Sequence, residues 1–126
     1  MAPTFADLSK ADYLLLTTFT KDGRPKPTPI WAAPDGDRLL VITRADAWKV
    51  KRIRNTARVT LAVCDVRGRP KSAATEAVAA ILDQAETGAV YDALGKRYGL
   101  MGRAFNFVSK LRGGMRHNIG LELRAA

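Results

Sequence analysis

Two stretches of the sequence concentrate positive charge and are the first candidates for chemistry. Residues 44–58 contain six basic residues and one acidic residue, and residues 96–116 contain six basic residues and no acidic one. Together they carry a charge of +11, whereas the whole chain of 126 residues carries +9. Such clusters attract anions and speed their capture. They indicate either a groove for a phosphorylated cofactor, a nucleic acid or an acidic lipid, or a solvated basic face.

The residue types within the first stretch and just before it are suited to holding a phosphate group. Thr43 offers a hydroxyl group, and Arg44 and Lys49 offer cations. Residues 46–49 can form the start of a helix, where main-chain N–H groups have no partner within the helix. A hydroxyl group, a helix N-terminus and one or more cations are the groups that bind phosphate best. These residues are therefore candidate phosphate ligands.

The helix that follows carries further basic residues, which cannot all face one ligand. Arg52 lies three residues after Lys49, on the same face of a helix, and is the candidate second cation. Lys51 and Arg54 fall on other faces and are expected to be solvated. An acidic side chain beside a phosphate is unfavourable, so Asp46 is expected to cap the helix with its side chain turned away.

Several other chemistries lack the residues that they need. His117 is the only histidine and Cys64 the only cysteine, so a histidine-based metal site, a Ser-His-Asp triad and a multi-thiolate site would lack partners. The sequence contains no Walker-type loop and no dinucleotide fingerprint. Cys64 lies within a strand pattern and is interpreted as a core residue. No catalytic residue and no metal ligand is assigned, and an enzyme of this kind would borrow its reactive group from a cofactor.

The hydrophobic patterns predict a small, mainly β barrel with short helices. The turns Asp22-Gly23-Arg24-Pro25 and Pro34-Asp35-Gly36-Asp37 join the first three strands closely, which predicts an antiparallel meander. One domain, 1–126, is expected from the length. The strands are expected at 13–20, 27–33, 38–43, 58–65, 73–82 and 117–124, and the helices at 46–55, 83–98 and 103–112.

The hydrophobic content also bears on location. No apolar run approaches the roughly 20 residues needed to span a bilayer. The first residues, Met1-Ala2-Pro3-Thr4, have neither the basic region nor the apolar stretch of a secretion signal. The expectation is a cytoplasmic protein that does not associate with membranes.

The order of these strands and turns resembles a known family. The motifs are the Asp22-Gly23-Arg24-Pro25 turn, Thr28-Pro29-Ile30-Trp31, the Asp35-Gly36-Asp37 turn, the strand ending at Thr43, the Lys-rich helix and the strand 58–63. In this order, over about residues 8–83, they resemble the pyridoxamine-phosphate-oxidase-like flavin and deazaflavin proteins. Within that group the chain looks most like the actinobacterial oxidoreductases that depend on coenzyme F420. The resemblance implies a six-stranded antiparallel split β-barrel.

The resemblance also implies how a cofactor would be bound. It implies a homodimer with the cofactor in a groove between the subunits, its ring system along residues 28–31 and its phosphate held near the helix. Many relatives have Gly-Thr or Gly-Ser before the helical lysine, whereas Asp46-Ala47-Trp48 stands here, so Asp46 and Trp48 are not assigned as ligands. The implied cofactor-binding residues are Pro29, Ile30, Trp31, Thr43, Arg44, Lys49 and Asn55, to which the helical spacing adds Arg52.

Coenzyme F420 and flavin mononucleotide (FMN) remain the two candidate cofactors. Both have a tricyclic ring and a ribityl phosphate, but F420 continues into an acidic glutamate tail, and two basic stretches favour the longer polyanion. The expected activity is hydride transfer from reduced F420 to an unsaturated small molecule. The proton donor could be water, Tyr98 or His117.

Two other functions fit the same sequence. A barrel of this fold could carry F420 without turnover. A basic barrel with exposed aromatic residues could instead bind nucleic acid, although the aromatic residues are few and do not interleave with the basic strands. Trp31 fits either the core or the ring pocket, whereas Tyr98, Phe105 and Phe107 follow a helical spacing that favours packing.

Overall fold

A computed structural model describes residues 2–98 and 117–126 and contains one curled antiparallel sheet. The predicted helix 103–112, with Phe105 and Phe107, lies outside the described residues, as does most of the second basic stretch. The seven strands are β1 (Leu14–Phe19), β2 (Pro25–Ile30), β3 (Ala33–Asp35), β4 (Arg38–Arg44), β5 (Arg58–Val63), β6 (Thr75–Ile81) and β7 (Asn118–Ala125). The helices are α1 (Phe5–Ser9), α2 (Trp48–Asn55) and α3 (Thr87–Tyr98), the last preceded by a short 3-10 turn, Gln84–Glu86.

The strand order and one short connection account for the curl of the sheet. The order is β2-β1-β5-β6-β7-β4-β3, so the two outermost strands are β2 and β3. Only Trp31 and Ala32 separate these two strands in the chain, which brings the two ends of the sheet together. The expected mainly β, split-barrel fold is confirmed, with the predicted strand 27–33 divided in two at this bend.

The predicted meander of the first three strands is wrong beyond its first turn. β1 and β2 do form a hairpin, with Leu14 opposite Ile30. β4, however, pairs with β3 and β7 and not with β2. The bend at residues 31–32 carries the chain to the other end of the sheet, so the second turn joins β3 to β4.

Side chains along each strand point alternately to the two faces of the sheet, and apolar side chains on both faces form two hydrophobic layers. Residues such as Leu16, Leu61 and Leu121 fill the barrel interior and are fully buried. On the outer face of the sheet, a second cluster contains Leu40 and α3 residues such as Leu94. Each fully buried leucine contributes about 1.5–3 kcal/mol relative to an exposed one. α3 is therefore held against the outside of the barrel, next to the bend between β2 and β3.

α2 is shorter than predicted, and its N-terminus differs from the expectation. The helix begins at Trp48 after Ala47, which makes no side-chain cap, so the expected capping by Asp46 is wrong. Asp46 instead pairs with Arg44, at 3.1 Å between Nε and Oδ1. Val50 and Ile53 are buried, whereas 70% of Trp48 is exposed. In the described part of the chain, no helix has both the length and the apolar character needed to cross a membrane.

Close packing of α3 on β7 leads to a first stability prediction. A Cβ atom at Gly120 would lie 2.7 Å from Cγ2 of Val90 and 3.3 Å from Cδ1 of Leu82. We expect Gly120→Ala to lower the free energy of unfolding by about 1–3 kcal/mol through overpacking. Gly95→Ala, in α3 with no atom near its Cβ position, should instead raise it by about 0.5–1 kcal/mol. Urea denaturation of the two variants measures the sign of each change in the free energy of unfolding. Equal changes in the two variants would contradict this packing.

Candidate functional site

A cavity of about 420 Å³ opens where the bend, α2 and α3 meet. This volume lies within the range of about 300–1,000 Å³ found for small-molecule sites. Of the described side chains that line it, most are apolar or aromatic and Lys49 is the charged one. The lining residues are Tyr13, Pro29, Ile30, Trp31, Ile42, Lys49, Val66 and Leu94.

The aromatic wall of the cavity is built on Trp31. The Trp31 ring is stacked on that of Tyr98, with centroids 4.5 Å apart and planes inclined by 10°. Tyr13 lies on the other side, with its centroid 6.3 Å from that of Trp31. The sequence allowed Trp31 to be either a core residue or part of the ring pocket. In the structure Trp31 lines the cavity and also packs against α3.

Tyr98 fixes this wall to the bend in the chain. Its hydroxyl group accepts a hydrogen bond from the main-chain N–H of Ala32 at 3.3 Å and lies 3.0 Å from the carbonyl oxygen of Asp12 and 3.2 Å from that of Ala32. Tyr98 is almost completely buried, and burial raises the pKa of its hydroxyl group. Its role is packing, as the helical spacing favoured, and its buried hydroxyl group is poorly placed to donate a proton to a substrate.

Among the described residues that line the cavity, Lys49 is the cation. It extends from the first turn of α2, and burial, followed by repulsion from nearby Arg52, lowers the pKa of its amino group. Lys49 makes no ion pair with any residue in 2–98 or 117–126. A cation that is partly removed from water and lacks an acidic partner is stabilised by a bound anion.

The other predicted phosphate ligands do not line the cavity. The Nε atom of Arg52 donates to the hydroxyl group of buried Thr18 at 2.7 Å, which anchors α2 to β1. Thr43 is buried, and strand alternation places it on the barrel-interior face, opposite to Ile42. Arg44 is exposed and paired with Asp46. Asn55 ends α2 and donates to the Lys51 carbonyl at 3.3 Å.

The structure thus brings together Pro29, Ile30, Trp31 and Lys49 from the predicted set. It adds four residues that sequence reasoning missed, namely Tyr13, Ile42, Val66 and Leu94. Ile42 and Leu94 have the periodicity of core residues, and the sequence offered no signal to separate them from the core. Val66 could have been noticed as an apolar residue in a turn, where 62% of it is exposed.

The remaining candidate groups lie apart from the cavity. Cys64 is buried and burial raises the pKa of its thiol, as expected for a core residue and not for a nucleophile. His117 is exposed, and its carbonyl oxygen accepts from the N–H of Ala45. Within residues 2–98 and 117–126, no group of three or more His, Cys, Asp or Glu side chains is placed to hold a metal ion.

Comparison with known proteins identifies relatives of this fold. The family model described as pyridoxamine 5′-phosphate oxidase matches residues 3–117. A search of the curated proteins finds no match. Among solved structures, a conserved hypothetical protein from Mycobacterium tuberculosis superposes with a TM-score of 0.69 at 20% identity, covering 99% of this chain and 82% of that one.

Two further structures show the range of proteins that share the architecture. One, described as an F420 reductase, has a TM-score of 0.62 at 21% identity and covers 100% of this chain and 96% of that one. The other, a heme storage protein from Vibrio cholerae, has a TM-score of 0.64 at 14% identity and covers 93% of this chain and 83% of that one. At these identities the likeness concerns the fold alone.

Proposed function

The chain belongs to the pyridoxamine 5′-phosphate oxidase family, and from that premise we propose that it is an F420-dependent oxidoreductase. In this proposal it transfers a hydride between reduced F420 and an unsaturated small molecule. The observation that carries the proposal is the position of Lys49, a partly buried cation without an acidic partner in the described chain, at a cavity with aromatic and aliphatic walls.

The residues that are present fit a phosphorylated aromatic ring. Trp31 and Tyr13 offer aromatic surfaces, and Ile30, Ile42 and Leu94 offer aliphatic ones, so a planar ring can be bound with little exposure to water. Lys49 would hold the phosphate group, because an ammonium–phosphate contact is a strong, charge-assisted hydrogen bond. Arg44 and Arg52 would add to the positive potential around it. Thr43 and Asn55 stay predictions from the sequence alone, because neither lines the cavity.

F420 is preferred to FMN on the basis of charge. The charge of +9 on a chain of this length suits the acidic tail that F420 has and FMN lacks, and one solved structure with this architecture is described as an F420 reductase. FMN is the alternative, since a solved relative from Mesorhizobium loti at 17% identity is described as FAD-binding. A carrier of F420 without turnover would bind in the same way.

The part played by the chain is positioning, exclusion of water and proton supply. When bound, the deazaflavin supplies or accepts a hydride. The apolar walls keep water from the reacting carbon, and Lys49 fixes the cofactor at its phosphate. Of the three proton donors considered from the sequence, Tyr98 and His117 do not line the cavity. Water and the hydroxyl group of Tyr13, which does line it, are therefore proposed.

A second copy of the chain is proposed to complete the site. Trp48, beside Lys49, is 70% exposed, and Val66 on the cavity lining is 62% exposed. Large exposed apolar side chains, one on a binding site and one next to a residue that lines it, favour an interface. Sedimentation analysis should therefore give twice the mass of 13.7 kDa for the wild type, and a shift towards the monomer for Trp48→Glu. A wild-type protein that is monomeric and still binds one F420 for each chain would overturn the proposal that a second copy completes the site.

Hydride transfer itself is tested by single-turnover mixing of the protein and reduced F420 with a panel of enones and quinones. Recovery of the absorbance of oxidised F420 at a rate above that without protein supports the oxidoreductase. Binding without any reoxidation over the whole panel would favour the carrier. Steeply salt-dependent binding of single-stranded nucleic acid, with none of F420, would favour the nucleic-acid-binding barrel.

The pH dependence of binding offers a test of the role of Lys49. An anionic cofactor favours protonated Lys49, so affinity is full at low pH and falls as the pH rises through the pKa of Lys49. Because burial lowers that pKa, the decrease should begin at a lower pH than an exposed lysine would give. The arginine in Lys49→Arg stays charged over this pH range. The variant should therefore bind F420 with an affinity that changes less with pH, as measured by F420 titrations at successive pH values. Identical profiles for the two proteins would contradict the assignment.

A further inference from the structure

The connection between α1 and β1 presents a row of main-chain carbonyl groups. The last carbonyl groups of a helix have no partner within the helix and need donors from water or from another element. α1 is five residues long, and the row that follows it comprises the carbonyl groups of Ser9, Lys10, Ala11 and Asp12. The row ends directly before Tyr13, which lines the cavity.

The end of α3 supplies donors to this row. The Nη2 atom of Arg97 lies 3.1 Å from the carbonyl oxygen of Lys10 and 3.2 Å from that of Ala11. Its Nε atom lies 3.5 Å from the carbonyl oxygen of Ser9, which is a weaker contact. A guanidinium group presents several N–H donors in a fixed fork, whereas a lysine would present a single point charge. Arg97 is therefore suited to contacting successive carbonyl groups together.

The segment 9–12 is held chiefly through its main chain. The Nη2 atom of Arg97 also lies 3.4 Å from the Oδ1 atom of Asp12, but this carboxylate side chain is 61% exposed. An ion pair with so exposed a member contributes little to stability. The hydroxyl group of Tyr98 donates to the carbonyl oxygen of Asp12 at 3.0 Å. Two successive residues of α3 thus contact four successive carbonyl groups.

This contact fixes the chain just before Tyr13. The pairing of β1 with β2 begins at Leu14, and the carbonyl group of Tyr13 accepts from the N–H of Cys64 at 3.2 Å. The sheet therefore holds Tyr13 from the β5 side, while α3 holds the residues before it. The Tyr13 ring lies 6.3 Å from that of Trp31, at an angle of 57°. A displacement of residues 9–12 would move this aromatic wall of the cavity.

We propose that Arg97 is a positioning residue that holds Tyr13 against the cavity, an inference that rests on the proposed function for the ligand that Tyr13 meets. Arg97 does not itself line this cavity, so it acts through the carbonyl groups of residues 9–12. Tyr13 then offers the ring of the cofactor an aromatic surface that is already in place. Such a surface adds affinity, because less side-chain freedom is lost when the ligand binds.

The position of Tyr13 can be measured without any ligand. The chain has three tyrosines, and in protein labelled with 3-fluorotyrosine the fluorine signals of Tyr13 and Tyr91 are assigned by replacing each with phenylalanine. The ring current of Trp31 displaces the Tyr13 signal from its position in urea-unfolded protein. We expect Arg97→Ala to move this signal most of the way to the unfolded position. The signal of Tyr91, a buried residue of α3, should stay in place and report an intact fold.

Lys96→Ala is the matched control. Lys96 precedes Arg97 in α3, is exposed and makes no ion pair with any residue that the structure describes, so its loss should leave the Tyr13 signal in place. Arg97→Lys keeps the charge without the fork and should move the signal in the same direction as Arg97→Ala, which keeps the test valid if the alanine variant unfolds. An unmoved signal in both Arg97 variants, or equal movement in Lys96→Ala, would overturn the positioning role and leave the proposed function standing.

A double-mutant cycle connects this role with binding. We expect Arg97→Ala to weaken F420 binding by about 3- to 10-fold in the wild type and by less than about twofold in Tyr13→Ala, because residues that act as a unit are not additive. Fluorescence titration gives the four dissociation constants. Equal losses in the two backgrounds would overturn the proposal that Arg97 acts through Tyr13. A wild-type protein that binds neither F420 nor FMN would overturn the proposed function itself, whatever the fluorine spectra show.

Discussion

Replacing Lys49 by alanine is expected to weaken F420 binding by about 10- to 100-fold, the effect of losing one charge-assisted hydrogen bond of about 1.5–3 kcal/mol. Lys49 is the charged side chain that lines the cavity, and its amino group has no acidic partner within the described residues. Its removal should leave the apolar walls in place, so the cofactor loses its phosphate anchor and keeps its ring contacts. Quenching of F420 fluorescence in a titration gives the dissociation constants.

Lys51 provides the matched control for this substitution. It lies two residues further along α2, is exposed, and its amino group stands 4.3 Å from the centre of the Trp48 ring. Lys51→Ala removes the same charge from the same helix without changing the cavity lining. It should alter the affinity by less than about threefold, as expected for a screened surface charge. Equal losses in the two variants would mean that the helix attracts the cofactor only through its overall charge.

Replacing Tyr98 by alanine is expected to lower the free energy of unfolding by about 3–5 kcal/mol, as is usual for a large aromatic residue in a core. Tyr98 packs on Trp31 and bonds to the main chain on both sides of the site, at Asp12 and Ala32. This is a large part of the roughly 5–15 kcal/mol that stabilises a typical domain. Urea denaturation measures the loss.

Tyr98→Phe distinguishes the contribution of the hydroxyl group to stability from that of the ring. It keeps the stack on Trp31 and leaves the N–H of Ala32 without its partner, which should cost about 1–3 kcal/mol. The fluorescence of Trp31, measured with Trp48 replaced by phenylalanine, should resemble that of the wild type in Tyr98→Phe and shift to longer wavelength in Tyr98→Ala. A loss below about 1 kcal/mol in Tyr98→Ala would contradict the packing described here.

Local parts of the fold could be predicted from the sequence, because their signals are local. The Asp-Gly turn and the flanking β-branched residues were sufficient to predict the β1–β2 hairpin, and the Lys-rich segment was sufficient to predict α2. Strand pairing between distant segments was not predictable in this way. The error in the meander arose because β2 and β3 look like one strand in the sequence, and the bend at Trp31 and Ala32 depends on packing against Tyr98, 66 residues away.

Four of the eight residues that line the candidate site could be predicted from the sequence, for a similar reason. Pro29, Ile30, Trp31 and Lys49 stand in motifs that resemble a known family. Ile42 and Leu94 have no such signal, because a residue that lines a cavity has the same hydrophobic periodicity as one that fills a core. The expected capping by Asp46 was wrong because its carboxylate pairs with Arg44 instead, an alternative that spacing alone does not exclude.

The most direct test of the central claim is an equilibrium titration of F420 with the wild-type protein, followed by the fluorescence of the deazaflavin. We expect saturable quenching with a micromolar dissociation constant, one cofactor for each chain, and a rise in the melting temperature of the protein. Unchanged fluorescence and melting temperature with F420, together with a higher melting temperature in FMN, would contradict the assignment of a deazaflavin site.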